Sequence, residues 1–289
     1  MTPSVIRHHF RRALLVCLAA VPMSVAATAA NQAPLKIGMV PDAGATQVSV
    51  AEKAPLQRYL STKLGRPVQL IIPTNYNATV EAIGNGSLDI AYFGGLTFVK
   101  ANARYGAVPL VQRDIDQRFH SIFITRPGSG ITRVTDLKGK TFCFGDINST
   151  SGHLVPRLVL KRSGVPAEGG LKSFRYTGSH PATAQGVATG ACDAGAIDET
   201  VLKSLYAEGK VSPSAVKVFY VSPAFTDYVW AARKGLTPQD RLAFSRALIG
   251  LRRGRDDAVL GILRGQRFVP ASTKAYASIV RIARELNLL

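Results

Sequence analysis

Residues 68–97 read VQLIIPTNYNATVEAIGNGSLDIAYFGGLT, and this stretch decides the fold class. An apolar run is followed by a polar turn, a segment with apolar residues at helical spacing, a Gly-Asn-Gly turn and a second apolar run that ends in two glycines. Strands that alternate with helices in this way form parallel sheets, because a helix is the usual connection between parallel strands. The stretch therefore predicts a β-α-β unit.

The same alternation extends in both directions along the chain. It predicts strands at 35–40, 68–72, 88–93, 119–125, 141–144, 172–176, 193–197 and 216–221. It predicts helices at 51–64, 75–83, 96–104, 151–162, 181–189 and 199–208, and a helical C-terminal tail from 238 to 286. Because one series ends near residue 104 and another begins near 119, the pattern indicates two α/β lobes with mostly parallel sheets.

The first thirty residues have the three parts of a secretory signal peptide. Arg7, Arg11 and Arg12 form a positive start, residues 13–25 are apolar but short for a membrane span, and residues 26–30 are small. We therefore expect residues 1–30 to be removed and a soluble chain to be exported, in a bacterium to the periplasm.

The balance of charges favours an anionic partner. The chain has 36 Lys and Arg residues against 18 Asp and Glu residues, a formal net charge of +18. Nucleic acid, an acidic membrane surface and small anions all fit such a charge. Export argues against nucleic acid, so a small anion is the partner that we expect.

Two cysteines, Cys143 and Cys192, would remain after export to an oxidising compartment. Both lie in apolar runs, so the simplest interpretation is two buried small side chains, while a disulfide between them stays an open alternative. The sequence has no CxxC motif and no cluster of Cys and His residues, so we expect neither a metal nor a cofactor.

Two facing lobes predict a cleft, because ligands of open α/β sheets bind beyond the carboxyl ends of the strands. The segments 119–125 and 216–225 are the expected hinges, about which the lobes can close. The expected division is 31–118 plus 226–289 for lobe 1 and 119–225 for lobe 2.

The strongest local signal for an anion site is the hydroxyl cluster of Ser149, Thr150 and Ser151. The cluster follows a strand, opens a helix and precedes Gly152, which permits close approach of the backbone. A helix N-terminus has unpaired N–H groups and a dipole that favours negative charge. An ordinary N-cap would need only one of the hydroxyls, and that simpler interpretation stays open.

Three other helix starts have a related layout: Asn75-Tyr76-Asn77, Gly94-Gly95 with Thr97, and Ser179-His180-Pro181. With the hydroxyl cluster they make two such turns per lobe, at the ends that would face the cleft. His180 fits a helix cap as well as it fits a ligand contact. The chain has no P-loop, GxSxG, HExxH or GxGxxG motif, so we do not expect an enzyme.

Several stretches resemble the phosphonate-, phosphite- and phosphate-binding proteins of bacterial ABC importers. These are residues 75–82, 89–95, 148–154, 178–180 and 193–198, in the family's order over essentially the whole mature chain. The runs 93–99, 111–114 and 267–270 are most similar to a subgroup assigned to selenate. The resemblance implies a bilobal type II periplasmic-binding fold that captures a small tetrahedral oxyanion without catalysis.

The resemblance also implies which residues contact the ligand. They are Tyr76, Gly94, Gly95, Ser149, Thr150, Ser151, His180 and Asp227. In aminoethylphosphonate binders a carboxylate faces the amine, and Thr200 stands at the matching position here. The resemblance therefore argues against an amino-phosphonate ligand.

A phosphorus oxyanion is the ligand that we expect. An ionised Asp227 would repel an anion that has no proton, such as sulfate or selenate, whereas phosphate-like groups have a second pKa of about 6 and keep a protonated fraction. The expected partners are this oxyanion and an inner-membrane permease, and the expected state is a monomer. The alternatives are a selenate or sulfate binder, a sensory protein that serves a histidine kinase, and a hydrolase that uses Ser149 or Ser151 with His180.

Overall fold

Two β-sheets, of six and five strands, organise the chain, and helices pack against both. The structure, a computed structural model, describes Met1, residues 33–41 and residues 47–289. Apart from Met1, the predicted signal peptide lies outside the described residues. The expected α/β class with two lobes is confirmed.

The first part of the chain alternates strands and helices as predicted. Its elements are β1 (Leu35–Met39), α1 (Gln47–Glu52), α2 (Ala54–Leu64), β2 (Val68–Ile71), α3 (Tyr76–Gly84), β3 (Ile90–Phe93), α4 (Gly95–Tyr105) and β4 (Val108–Arg113). β1 pairs in parallel with β2 and β3. All four residues of β3 are buried, which is typical of a central strand covered on both faces.

A 3-10 turn at Asp114–Arg118 leads to the second sheet. The elements there are β5 (Ser121–Thr125), β6 (Thr141–Phe144), α5 (Val155–Arg162), a short turn α6 (Ala167–Gly170), β7 (Ser173–Tyr176), α7 (His180–Ala188), β8 (Ala194–Asp198), α8 (Glu199–Ala207) and β9 (Lys217–Val221). β6 pairs in parallel with β7 and β8, and β5 is antiparallel to β8 and β9.

The chain then returns to the first sheet. The last elements are β10 (Val229–Ala232), α9 (Pro238–Ile249), α10 (Asp257–Ile262), β11 (Phe268–Pro270) and α11 (Ala277–Glu285). β10 lies antiparallel between β3 and β4, and β11 forms the edge beside β4. The helical tail is confirmed, but the sequence analysis missed β4, β10 and β11, because runs of three to six residues carry little periodicity.

The chain crosses between the sheets twice, in residues 114–120 and 222–228. The crossings meet where Phe119 and Phe225 exchange two backbone hydrogen bonds of 2.8 and 2.9 Å. The crossings are shorter than the expected hinge segments 119–125 and 216–225, because Ser121–Thr125 and Lys217–Val221 are strands of the second sheet, and the position of the hinges stays a prediction. The lobe boundaries after residues 118 and 225 fall inside the crossings, and this division remains our proposal.

Cys143 on β6 and Cys192 before β8 form a disulfide, with their Cα atoms 5.8 Å apart. Both side chains are buried, as expected. Our simplest interpretation, two unbonded cysteines, is therefore wrong, and the alternative that we left open is correct. The sequence could not decide between them, because 49 positions separate the two residues and only the sheet brings them together.

Candidate functional site

The start of α4 is the centre of the candidate site. The first N–H groups of a helix have no partner within the helix. Here the Gly95 N–H donates to Oδ1 of Asp227 at 2.8 Å, and the Leu96 N–H donates to Oγ1 of Thr150 at 3.0 Å. Two oxygen atoms from distant parts of the chain, one in each lobe, therefore lie on this helix terminus.

Gly94 and Gly95 permit this close approach. A Cβ atom on Gly95 would lie 3.2 Å from the carbonyl oxygen of Thr226 and 3.4 Å from Thr150 Oγ1. A Cβ atom on Gly94 would lie 3.4 Å from the same Thr150 oxygen. The two glycines thus serve the contact between lobes as well as the turn.

The hydroxyl cluster divides its roles. A π-helical turn, Thr150–Leu154, continues directly into α5, and Ser149 caps it by accepting a hydrogen bond from the Gly152 N–H at 2.9 Å. The simple N-cap interpretation is therefore correct for Ser149. It does not explain Thr150, which reaches α4 and Asp227 in the other lobe. Ser151 is buried, and its carbonyl oxygen accepts from Ser121 Oγ at 2.6 Å.

His180 lies beside the hydroxyl cluster. A Cβ atom on Gly152 would lie 2.9 Å from Ser149 Oγ and 3.1 Å from His180 Cε1. His180 Nδ1 accepts from the Asp198 N–H at 3.3 Å, and its Nε2 lies 3.4 Å from the Tyr228 hydroxyl. The sequence analysis missed Tyr228, whose only signal was its position directly after Asp227.

Tyr76 belongs to a second contact between the lobes. It is buried at the start of α3, where Asn75 caps the helix by accepting from the Ala78 N–H at 2.8 Å. The Tyr76 N–H donates to the Asp146 carboxylate, at the other end of the hydroxyl loop from Thr150. Nearby, Lys100 Nζ donates to Asn148 Oδ1 at 2.7 Å, so this loop is held from lobe 1 on both sides.

Asp227 is the most perturbed acid of the site. Burial raises the pKa of Asp227 to about 8, helped by the negative charges of Asp116 and Asp198 and opposed by hydrogen bonds from Gly95 and Thr150. Its Oδ2 atom is buried and has no hydrogen-bond partner among the described residues. The carboxyl group therefore carries a proton at neutral pH. This corrects our assumption from the sequence that Asp227 is ionised.

A buried ion pair lies next to Asp227 and holds its backbone in place. Arg113 binds Asp116 through two hydrogen bonds, Nε to Oδ2 at 2.9 Å and Nη2 to Oδ1 at 2.6 Å. The Asp116 carbonyl oxygen accepts from the Asp227 N–H at 3.0 Å, and the Arg113 guanidinium lies 5.1 Å from the centre of the Tyr228 ring. The pair thus fixes the backbone that presents Asp227 and Tyr228. No sequence motif predicted this ion pair.

Asp198 is a further acid that the sequence analysis did not assign. It caps α8, accepting from the Val201 N–H at 3.1 Å and from the Thr200 hydroxyl at 2.7 Å. Burial disfavours its charge, but electrostatic interactions with His180, Arg264 and Arg113 lower its pKa. A carboxylate therefore lies beside Thr200, with its Oδ1 atom bound by the helix cap, and the expectation against an amino-phosphonate ligand stays a prediction.

Within the described ranges, no group of three or more His, Cys, Asp or Glu side chains is placed to hold a metal ion. The helices of this part of the chain are also all too short or too polar to cross a membrane.

Comparison with known proteins relates the whole fold to one group of transport proteins. Residues 37–276 match the family described as ABC transporter, phosphonate, periplasmic substrate-binding protein. The probable ABC transporter phosphite binding protein PhnD1 of Prochlorococcus marinus (strain MIT 9301) is 30% identical over 277 residues, which cover 89% of this chain and 91% of that protein. The phosphate-import protein PhnD of Mycolicibacterium smegmatis is 30% identical over 198 residues, 64% of this chain and 62% of that protein.

A solved structure agrees with the sequence relatives. PhnD1 from Prochlorococcus marinus (MIT 9301) in complex with methylphosphonate is 30% identical and superposes with a TM-score of 0.81, covering 88% of this chain and 98% of that one.

Proposed function

The chain belongs to the phosphonate-binding periplasmic proteins of ABC transporters, and from this membership we propose that it captures a phosphorus oxyanion between its lobes and delivers it to a membrane permease. The proposed ligands are phosphite, a phosphonate or phosphate. The proposed contacts are Tyr76, Gly94, Gly95, Ser149, Thr150, Ser151, His180 and Asp227.

The observation that carries this proposal is the pair of oxygen atoms on the start of α4. Asp227 and Thr150 accept from consecutive N–H groups there, so the terminus is built to bind oxygen acceptors. The helix dipole also favours an anion beside this terminus. The hydroxyl cluster begins a second helix opposite α4, and His180 begins a third.

Capture in this site needs hydrogen bonds and no covalent step. The protonated carboxyl group of Asp227 donates to one ligand oxygen, and hydrogen bonds of this kind to a charged group contribute about 1.5–3 kcal/mol. Closure about the crossings at 114–120 and 222–228 then removes the ligand from water. The protein does this as a monomer in the periplasm, without nucleic acid, and offers the closed face of both lobes to the permease.

Sulfate or selenate is the second candidate class, and the protonation of Asp227 is the observation that favours it. Because the carboxyl group itself carries the proton at pH 7, a dianion without a proton of its own is not repelled. Family membership weighs against this class and supports phosphorus.

Titration calorimetry at pH 7 tests the proposal against this second candidate. The ligands are phosphite, methylphosphonate, phosphate, aminoethylphosphonate, sulfate and selenate. We expect phosphite or methylphosphonate to bind at least about tenfold more tightly than sulfate or selenate. Tighter binding of selenate or sulfate would establish the second candidate, and no heat with any phosphorus ligand would reject the proposed function.

A further inference from the structure

Arg264 has a backbone conformation that arginine rarely adopts. Its φ angle is 47°, in the left-handed region, and among the described residues other than glycine only Asn287 shares that region. Arg264 follows the end of α10, where the Gly265 N–H donates to the Leu260 carbonyl oxygen at 3.1 Å. Helices that end in this way usually have glycine in the left-handed position, because a Cβ atom makes that conformation unfavourable. Since strained residues concentrate at clamps and switches, an arginine here indicates that its side chain has a function.

Arg113 holds this conformation in place. Its Nη1 atom donates to the Arg264 carbonyl oxygen at 3.1 Å. A Cβ atom on Gly265 would lie 3.0 Å from Cγ and Cδ of Arg113, so glycine is needed next to Arg264 for the two segments to pack. Arg113 is itself fixed by its ion pair with Asp116 in the crossing at 114–120. The backbone at Arg264 is therefore held from one of the two crossings between the sheets.

Arg264 lies where the two lobes face each other. It is half-buried and lines a cleft between them. The opposite wall of this cleft contains Pro181 of lobe 2 together with Val201 and Ser204 of α8. None of the proposed ligand contacts lines this cleft, so any effect of Arg264 on binding has to act through the lobes.

Asp198, which caps α8, is the acid of lobe 2 that the charge of Arg264 reaches. Its Oδ1 atom accepts hydrogen bonds from the start of α8, whereas its Oδ2 atom is buried and has no hydrogen-bond partner among the described residues. Burial raises the pKa of Asp198, but electrostatic interactions bring it below its usual value. These interactions are with His180, Arg264 and Arg113, and both arginines belong to lobe 1. The carboxylate is therefore compensated from across the cleft.

Resting on the proposed function, we propose that Arg264 is a positioning residue for closure, which brings a positive charge across the cleft to Asp198 and so stabilises the closed lobes without touching the ligand. Closure takes the carboxylate out of water, which is unfavourable unless an opposite charge compensates it. A bound oxyanion adds a second negative charge near Asp198, so the contact matters most when ligand is present. Because closed lobes retain the ligand, loss of the contact should mainly speed dissociation.

Substitutions that remove or keep the charge test this role. Calorimetry and stopped-flow kinetics with methylphosphonate at pH 7 compare the variants with wild type. Arg264→Gln should weaken binding by about tenfold, mostly through faster dissociation, and Arg264→Lys should stay within about threefold of wild type. Arg267→Gln is the matched control and should bind as wild type does, because Arg267 is exposed, lies outside the cleft and pairs with Asp114. Equal affinities of Arg264→Gln and wild type would overturn the proposal.

Arg264→Gly separates a role in closure from a role in stability. Glycine adopts the left-handed conformation without strain, so the thermal unfolding midpoint of the ligand-free protein should not fall. Binding of methylphosphonate should nevertheless weaken by about tenfold, as in Arg264→Gln. An arginine with a purely structural role would give a lower midpoint and an unchanged affinity, and that result would reject the role in closure.

Asp198→Asn identifies the partner of Arg264. Asparagine keeps an oxygen acceptor for the α8 cap and removes the charge. In the Asp198→Asn background, Arg264→Gln should weaken binding by less than about twofold, because the partner is already absent. A loss of about tenfold in that background as well would show that Arg264 does not act through Asp198.

The two proposals fail in different ways. If wild type binds methylphosphonate and the Arg264 variants bind it equally well, only the role of Arg264 is wrong. If wild type binds no phosphorus ligand at all, the proposed function is wrong and the role of Arg264 in closure is rejected with it.

Discussion

Two strand-to-helix turns of the same layout, one in each lobe, find hydrogen-bond partners for the N–H groups of their helices in different ways. In lobe 2, Ser149 caps its own helix through the Gly152 N–H, so the turn is complete within one loop. In lobe 1, Gly94 and Gly95 have no side chains to offer, and the N–H groups of α4 are bound by Thr150 and Asp227. The lobe 2 turn is thus self-contained, whereas the lobe 1 turn depends on how the lobes meet. Ligand binding should be most sensitive at the dependent turn.

Removal of the Cys143–Cys192 disulfide, which lies in lobe 2 with the self-contained turn, should have the largest effect on stability. The disulfide closes a loop of 49 residues within the second sheet, and a loop of that length corresponds to about 4 kcal/mol of unfolding free energy. The double variant Cys143→Ala, Cys192→Ala should lose that order of stability in denaturant unfolding. Its affinity for methylphosphonate should change by less than about twofold at a temperature where it is folded. An unchanged unfolding midpoint would contradict the assignment of a disulfide between Cys143 and Cys192.

Gly95→Val tests the dependent turn. Its Cβ atom would lie 3.2 Å from the Thr226 carbonyl oxygen and 3.4 Å from Asp227 Oδ1, both in the crossing at residues 222–228. We expect binding of methylphosphonate to weaken by about a hundredfold, or nearly 3 kcal/mol. Gly261→Val is the matched control, because a Cβ atom there meets nothing within 4 Å. Equal affinities of the two variants would remove α4 from the site.

Thr150→Ala removes the hydroxyl that joins the turns. A hydrogen bond to a charged ligand is lost in a buried site, so binding should weaken by about 2 kcal/mol. Thr150→Ser keeps the hydroxyl and should retain most of the affinity. If Thr150→Ala binds as wild type does, the hydroxyl cluster is only a helix cap.

Because Asp227 binds the lobe 1 turn, its protonation should make ligand affinity depend on pH. Because its pKa is raised to about 8, the carboxyl group is neutral below that pH and becomes an anion above it. Affinity for methylphosphonate should therefore fall as pH rises from 7 to 9, by up to about tenfold, since the ionised carboxylate of Asp227 repels the anion instead of donating to it. Asp227→Asn stays neutral and should show a flat profile. A wild-type profile that is also flat would mean that Asp227 does not face the ligand.

The parts of the fold that sequence predicted well are those with long periodic runs. The alternation from β1 to α4 and the helix starts at Asn75, Ser149 and Ser179 follow from local rules of periodicity and capping, which residues near in sequence obey. β10 was missed because its four buried residues show no period. Its place between β3 and β4 depends on a return of the chain from the other sheet.

The site was predictable in its residue types and not in its electrostatics. The resemblance supplied Asp227, but its protonation comes from burial beside Asp116 and Asp198, which lie far away in sequence. The Arg113–Asp116 pair and the Cys143–Cys192 bond were likewise out of reach, because each depends on the packing of separate elements.

Small-angle X-ray scattering with and without saturating methylphosphonate tests the central claim most directly, since the claim requires both lobes to close on one ligand. Closure about residues 114–120 and 222–228 should reduce the radius of gyration of the wild-type protein on addition of the ligand. Gly95→Val should show little or no such change at the same concentration, because its dependent turn is blocked. Wild-type profiles that overlay with and without bound methylphosphonate would contradict capture between the lobes.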